Sequence, residues 1–190
     1  MDPEQVILEE LARPPGELAP GPVTPGGWRA GTVHGGALHR ADPDSVRFVK
    51  HRASSRRRID FVTFRGSIPM LDHSEHDFVY FFALEREPDG GWRIVGAAGG
   101  GGSSPVRGRP WVNLAGGHGG DLFYTGGQIE RAGTDIDRVQ IRFADGRFVE
   151  DDVEQDVALF IDDAAVLMLS TVVLLDGAGA EVAKHEAFPG

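Results

Sequence analysis

Beyond Trp28 the chain alternates apolar and polar residues in short runs, and glycine or proline closes most of them. A period of two sends successive side chains to opposite faces, which marks β-strands with one face in a core; an amphipathic helix would repeat every three or four residues. Val46 and Phe48 share a face in one such run, and Ile59, Phe61 and Thr63 alternate in the next. Phe78-Val79-Tyr80-Phe81-Phe82-Ala83-Leu84 is apolar throughout, as a strand covered on both faces should be. Glu87-Pro88-Asp89-Gly90-Gly91 then turns the chain and Trp92-Arg93-Ile94-Val95 returns it, which predicts a hairpin over residues 78–96.

The N-terminus reads differently. Asp2 can cap a helix, Pro3 suits its first position, Gln5 can complete a capping box, and Ile7, Leu8 and Leu11 fall on one face. Arg13-Pro14-Pro15 ends that helix, and the Pro/Gly-rich stretch to residue 27 reads as a connector. A second break falls at Gly99-Gly100-Gly101-Gly102-Ser103-Ser104-Pro105, where four consecutive glycines predict a linker because ordering glycine costs the most backbone entropy. Gly116-Gly117-His118-Gly119-Gly120 reads as a mobile turn for the same reason. Strand-like pieces then recur at 122–124, 128–131, 138–144, 147–153, 157–161, 166–175 and 181–188, with Asp145-Gly146 and Asp176-Gly177 as hairpin turns.

The fold expected is therefore mostly β. It comprises a short N-terminal helix and connector (1–27), a β-rich first module (28–102) and an immunoglobulin-like or fibronectin-like β-sandwich as the second module (109–190), without the Cys-Trp-Cys signature of true immunoglobulin domains.

Composition removes several classes of function. The chain has no cysteine, which excludes disulfides, thiolate nucleophiles, zinc-thiolate sites and iron–sulfur clusters. The longest nearly apolar stretch, Ala164 to Leu175, is too short to cross a bilayer as a helix, and the first 15 residues carry acids where a signal peptide needs bases; both point to a cytoplasmic protein without membrane association. A formal charge of −10 argues against nucleic acid as the main ligand. The charge is also uneven: residues 128–190 hold 14 acids against 5 bases, while residues 47–65 hold seven of the 19 Lys and Arg, so the two ends of the molecule differ electrically.

Two clusters could carry function. Lys50, Arg52, Arg56, Arg57 and Arg58 make a basic segment dense enough to bind an acidic protein surface, or else to face the acidic second half and help the halves dock. Asp72, His73 and His76 are the candidate metal ligands: imidazole and carboxylate together suit zinc or another first-row divalent metal, with a third histidine needed from elsewhere, and a solvated polar loop is the alternative. Trp28 and Trp111 are read as plugs at module ends, with ligand stacking as their other use. No Gly-x-Ser-x-Gly, Ser-x-x-Lys or His-Glu-x-x-His motif is present, and neither glycine run is followed by the helix start a phosphate loop requires. The leading expectation is a non-catalytic protein-interaction or scaffold protein that holds a protein partner through the basic loop or a sheet edge, without a cofactor. The competing expectation is a metal-dependent hydrolase or lyase centred on His73 and His76.

Overall fold

A computed structural model describes residues 2–13, 40–67, 75–101, 108–119, 122–162 and 170–187. Among the described residues one α-helix, α1 (Pro3–Leu11), precedes twelve strands: β1 (Arg40–Ala41), β2 (Arg47–Ala53), β3 (Arg57–Ser67), β4 (Glu75–Arg86), β5 (Trp92–Gly101), β6 (Trp111–Gly119), β7 (Leu122–Glu130), β8 (Arg138–Arg142), β9 (Phe148–Asp152), β10 (Val157–Asp162), β11 (Ser170–Leu175) and β12 (Glu181–Ala187), with a short 3-10 turn at Pro43–Ser45. The protein is thus mostly β, with every strand pair antiparallel.

The strands form three sheets. The first follows the order β1-β3-β4-β5, with β2 also on β3; the second is β10-β7-β6; the third is β12-β11-β8-β9. Residues 40–101 supply the whole first sheet and residues 111–187 the other two.

Three apolar clusters place these elements in four layers. Ile7 and Leu11 of α1 pack on Val62, Phe64, Phe78, Tyr80, Phe82 and Leu84, the outer face of the first sheet. Its inner face, through Ile59, Phe61, Phe81 and Ala83, meets Tyr124, Val157 and Leu159 of the second sheet. The far face of that second sheet, with Val112, Phe123, Ala158 and Phe160, closes on Val139, Ile141, Val172 and Leu174 of the third. β4 therefore feeds alternate side chains into two different cores, which is why residues 78–84 at its centre are apolar at every position. β10 does the same with Val157 and Leu159 on one side and Ala158 and Phe160 on the other. The middle core joins residues from both halves of the chain.

Local chemistry explains the connections. Asp2 accepts from the Glu4 N–H at 2.9 Å and Pro3 opens α1, while Gln5 donates to Glu9 rather than closing a capping box. Residues 87–91 close the β4–β5 hairpin through Glu87 N–H to Gly91 O at 2.9 Å, Asp145-Gly146 turns β8 into β9, and Asp176-Gly177 turns β11 into β12.

The glycine runs depart from the sequence expectation. Gly99–Gly101 complete β5 and pair with Phe78, Val79 and Tyr80, and Gly116–Gly119 complete β6 and pair with residues of β7. The reason is close approach. A Cβ on Gly96 would strike the Tyr124 ring, one on Gly126 would strike the Phe81 ring, and one on Gly99 would strike the Val79 carbonyl. Glycine is placed where backbone and aromatic ring must touch, and pairing with an anchored neighbour offsets its entropy cost. Residues 102–105 of the expected linker lie outside the described residues.

Candidate functional site

A stack of sheets has two flanks, and on each flank every sheet ends in a strand with one unpaired row of N–H and C=O groups. On one flank β2, β10 and β9 lie side by side; on the other are β5, β6 and β12. The first flank is sealed. Lys50 and Arg52 lie two apart on β2 and so point the same way, and both meet Asp151 of β9, at 2.6 Å and 2.8 Å. Lys50 Nζ also donates to Asp152 O (2.5 Å) and Val157 O (3.3 Å), and Arg52 donates to Glu150 O (2.6 Å) and Leu159 O (3.4 Å). Asp151 Oδ2 also accepts from the Leu159 N–H at 2.7 Å.

Carbonyls 150 and 152 of β9 and 157 and 159 of β10 are the outward-facing groups of two edge strands. Two basic side chains from the first sheet therefore satisfy the backbone groups that a neighbouring strand would otherwise take. The Lys50 side chain is only 6% exposed and that of Asp151 12%, so this ion pair belongs to the interior. Of the two uses that the sequence offers for Lys50 and Arg52, these contacts provide the intramolecular one.

Arg57 and Arg58 are also engaged within the chain. Arg58 grips Asp60 through both carboxylate oxygens, at 2.8 Å and 2.6 Å, and reaches Glu4 of α1 at 3.4 Å. Burial pushes the Asp60 carboxyl above its ordinary range, and the Arg58 guanidinium opposes that shift. Arg57 lies 3.6 Å from Glu85. Arg56 stands exposed at the β2–β3 turn, where its carbonyl accepts from the Arg86 N–H at 2.7 Å.

Of the candidate metal ligands, Asp72 and His73 lie outside the described residues. His76 begins β4 on an exposed position, its ring edge-on to Phe78 at 6.4 Å. Among the described residues no group of three or more histidines and carboxylates has the arrangement of a metal site.

The second flank gives a place to the sheet edge that the sequence offered without locating it. β5, β6 and β12 each pair on one side only among the described residues. A groove of about 430 Å³ opens between the start of β6 and β12, lined by Arg109, Trp111, Lys184, His185 and Glu186 among others. Trp111 is the centre of a three-group stack. The His185 imidazole lies on it with ring centroids 3.7 Å apart and an 18° tilt, and the Arg109 guanidinium sits 5.0 Å from the ring.

His185 is also hydrogen-bonded to the Val112 backbone, so it seals one position of the β6 edge and ties the second sheet to the third; its Nε2 is out of solvent and unpartnered. Burial holds the imidazole below its ordinary pKa, opposed by the Val112 bond and aided by the nearby Arg109 charge. Trp111 is the first residue of β6. The signal available in the sequence was the pairing of an aromatic at the start of β6 with a histidine 74 positions later, and nothing in spacing links them.

Compared with protein-family models, with curated proteins and with solved structures, the chain gives no match.

Proposed function

We propose that this is a non-catalytic binding protein that takes an extended segment of a protein partner along the β5/β6/β12 flank. The observation that carries this reading is the contrast between the two flanks. One is sealed by Lys50, Arg52 and Asp151 down to individual carbonyls; the other leaves three edge strands unpaired among the described residues. Unpaired edges invite another chain, and proteins commonly blunt those they do not use. Strand addition on such an edge draws affinity from backbone hydrogen bonds and specificity from neighbouring pockets, and the Trp111 groove lies beside two of these edges.

The fold supports the same reading. Counted from β6, the seven strands of the second half run 1-2-5 in one sheet and 7-6-3-4 in the other, a Greek-key order compatible with an immunoglobulin-like or fibronectin-like sandwich. Such sandwiches host many functions, so the proposal rests on the edges rather than on the architecture. A chain without cysteine suits the reducing cytoplasm, which we propose as its compartment.

The test is selection of binders from a displayed library of linear peptides, followed by amide hydrogen exchange on the complexes. Slowed exchange in β5, β6 or β12 is the expected result. Binders that protect only the β2/β9/β10 flank, or a library that yields none, would overturn the proposal.

A further inference from the structure

Resting on the strand-edge reading above, we infer that the segment bound between β6 and β12 presents a carboxylate, a glutamate or aspartate side chain, to Arg109. Arg109 is exposed, and no carboxylate pairs with it among the described residues. By contrast, Arg52, Arg58, Arg93, Arg131, Arg138 and Arg147 each contact an acid within 3.2 Å.

The Arg109 guanidinium lies over the Trp111 ring at a cation–π distance of 5.0 Å, and no carboxylate takes its N–H groups among the described residues. A fork of N–H donors held in one plane matches a carboxylate with two parallel hydrogen bonds, and the indole keeps it from swinging into solvent. Lys184 adds a second positive charge to the lining and Glu186 one negative charge, while Lys184 is shared with Glu181 at 3.7 Å. His185 is half-buried, and desolvation holds its pKa below the ordinary value, which disfavours a positive charge on it. The groove lining thus carries one more positive than negative charge, supplied by Arg109, on a molecule whose formal charge is −10, so Arg109 is the group in it that favours a carboxylate. A polypeptide is the source of that carboxylate because the groove is flanked by β12 and by the β6 edge beyond Val112, which pair with no further strand among the described residues and offer an extended backbone hydrogen bonds that a free anion would leave unused.

The experiment uses the full chain and three blocked heptapeptides that alternate valine and threonine, with glutamate, glutamine or lysine at the centre. Binding is followed by the tryptophan indole and arginine side-chain resonances and by backbone amide shifts. The glutamate peptide is expected to bind about tenfold more tightly than the glutamine peptide, as a hydrogen bond to a charged group implies, and to shift Trp111 and Arg109. Arg109→Gln should abolish that preference, and Arg109→Lys, which keeps the charge and loses the fork, should restore part of it. Equal affinity for all three peptides with shifts in β6 and β12 would overturn the carboxylate assignment and leave the strand-edge reading standing. No shift in β5, β6 or β12 with any peptide would sink both. Self-association of the chain through β6 or β12 in sedimentation, blocking the peptides, would assign the edge to a second copy and also overturn the inference.

Discussion

Lys50 of β2 and Asp151 of β9, 101 positions apart in the chain, form a buried ion pair at 2.6 Å that fastens the first sheet to the third across the edge of the second. A buried pair of this kind adds little over an apolar pair of the same shape, but removing one member strands the other without water or partner.

Asp151→Ala should therefore destabilise the protein by about 3–5 kcal/mol, because the buried Lys50 loses its counter-charge and keeps only backbone carbonyls, and the Leu159 N–H loses its carboxylate acceptor. Urea unfolding followed by tryptophan fluorescence measures this. A loss below about 1 kcal/mol, the size of an exposed pair, would show that the contact is solvated in solution.

Gly126 admits the Phe81 ring onto the backbone of β7, and an added methyl has no space. Gly126→Ala should cost roughly 1–3 kcal/mol through overpacking. Combining it with Phe81→Leu should cost less than the sum of the two single changes, since neighbours that compete for one volume couple. A double-mutant cycle in denaturant gives the coupling energy directly, and additive losses would refute the contact.

His185 makes stability depend on pH with a definite sign. Its folded pKa lies below the ordinary value of 6.5, so between the two the unfolded chain binds the proton and the folded chain does not. The stabilisation is complete above pH 6.5 and is lost as pH falls through the folded pKa. Urea midpoints measured from pH 8 to pH 5 should decline more steeply for the native chain than for His185→Phe, which preserves the stack on Trp111 without titrating. Parallel curves would dismiss the effect.

Ala132 holds φ at 48°, next to Gly133 at 80°, in a turn closed by Thr134 N–H to Arg131 O at 2.9 Å. Left-handed backbone is costly for alanine and mild for asparagine, and Asn-Gly is the favoured pair where both central residues have positive φ. Ala132→Asn should raise stability by about 0.5–1 kcal/mol, seen as a higher thermal midpoint. An unchanged or lower midpoint would count against this turn geometry.

What was legible in the sequence follows from which forces act locally. The period-two runs, the uniformly apolar 78–84 segment, the Asp-Gly turns and the Asp2-Pro3 helix start all express preferences of the chain within a few residues, and the structure contains each as an element. The glycine strands were not legible, because glycine is a poor strand former by itself and Gly96, Gly99 and Gly126 are justified only by the ring or carbonyl lying against each. The basic segment was half legible. Its charge was plain, but whether Lys50 and Arg52 met a partner or their own chain depended on where residues 150–159 came to rest.

By itself, then, the sequence determined the strand content, the turns, the absence of thiol chemistry and the opposition between a basic segment and an acidic second half. Tertiary structure decided which edges are sealed and which stay open, and it brought Arg109, Trp111 and His185 into one stack. The physical reason is one of range. Backbone preference and turn chemistry act between near neighbours, whereas pairing an edge carbonyl with a lysine a hundred residues away requires all three sheets to be stacked first.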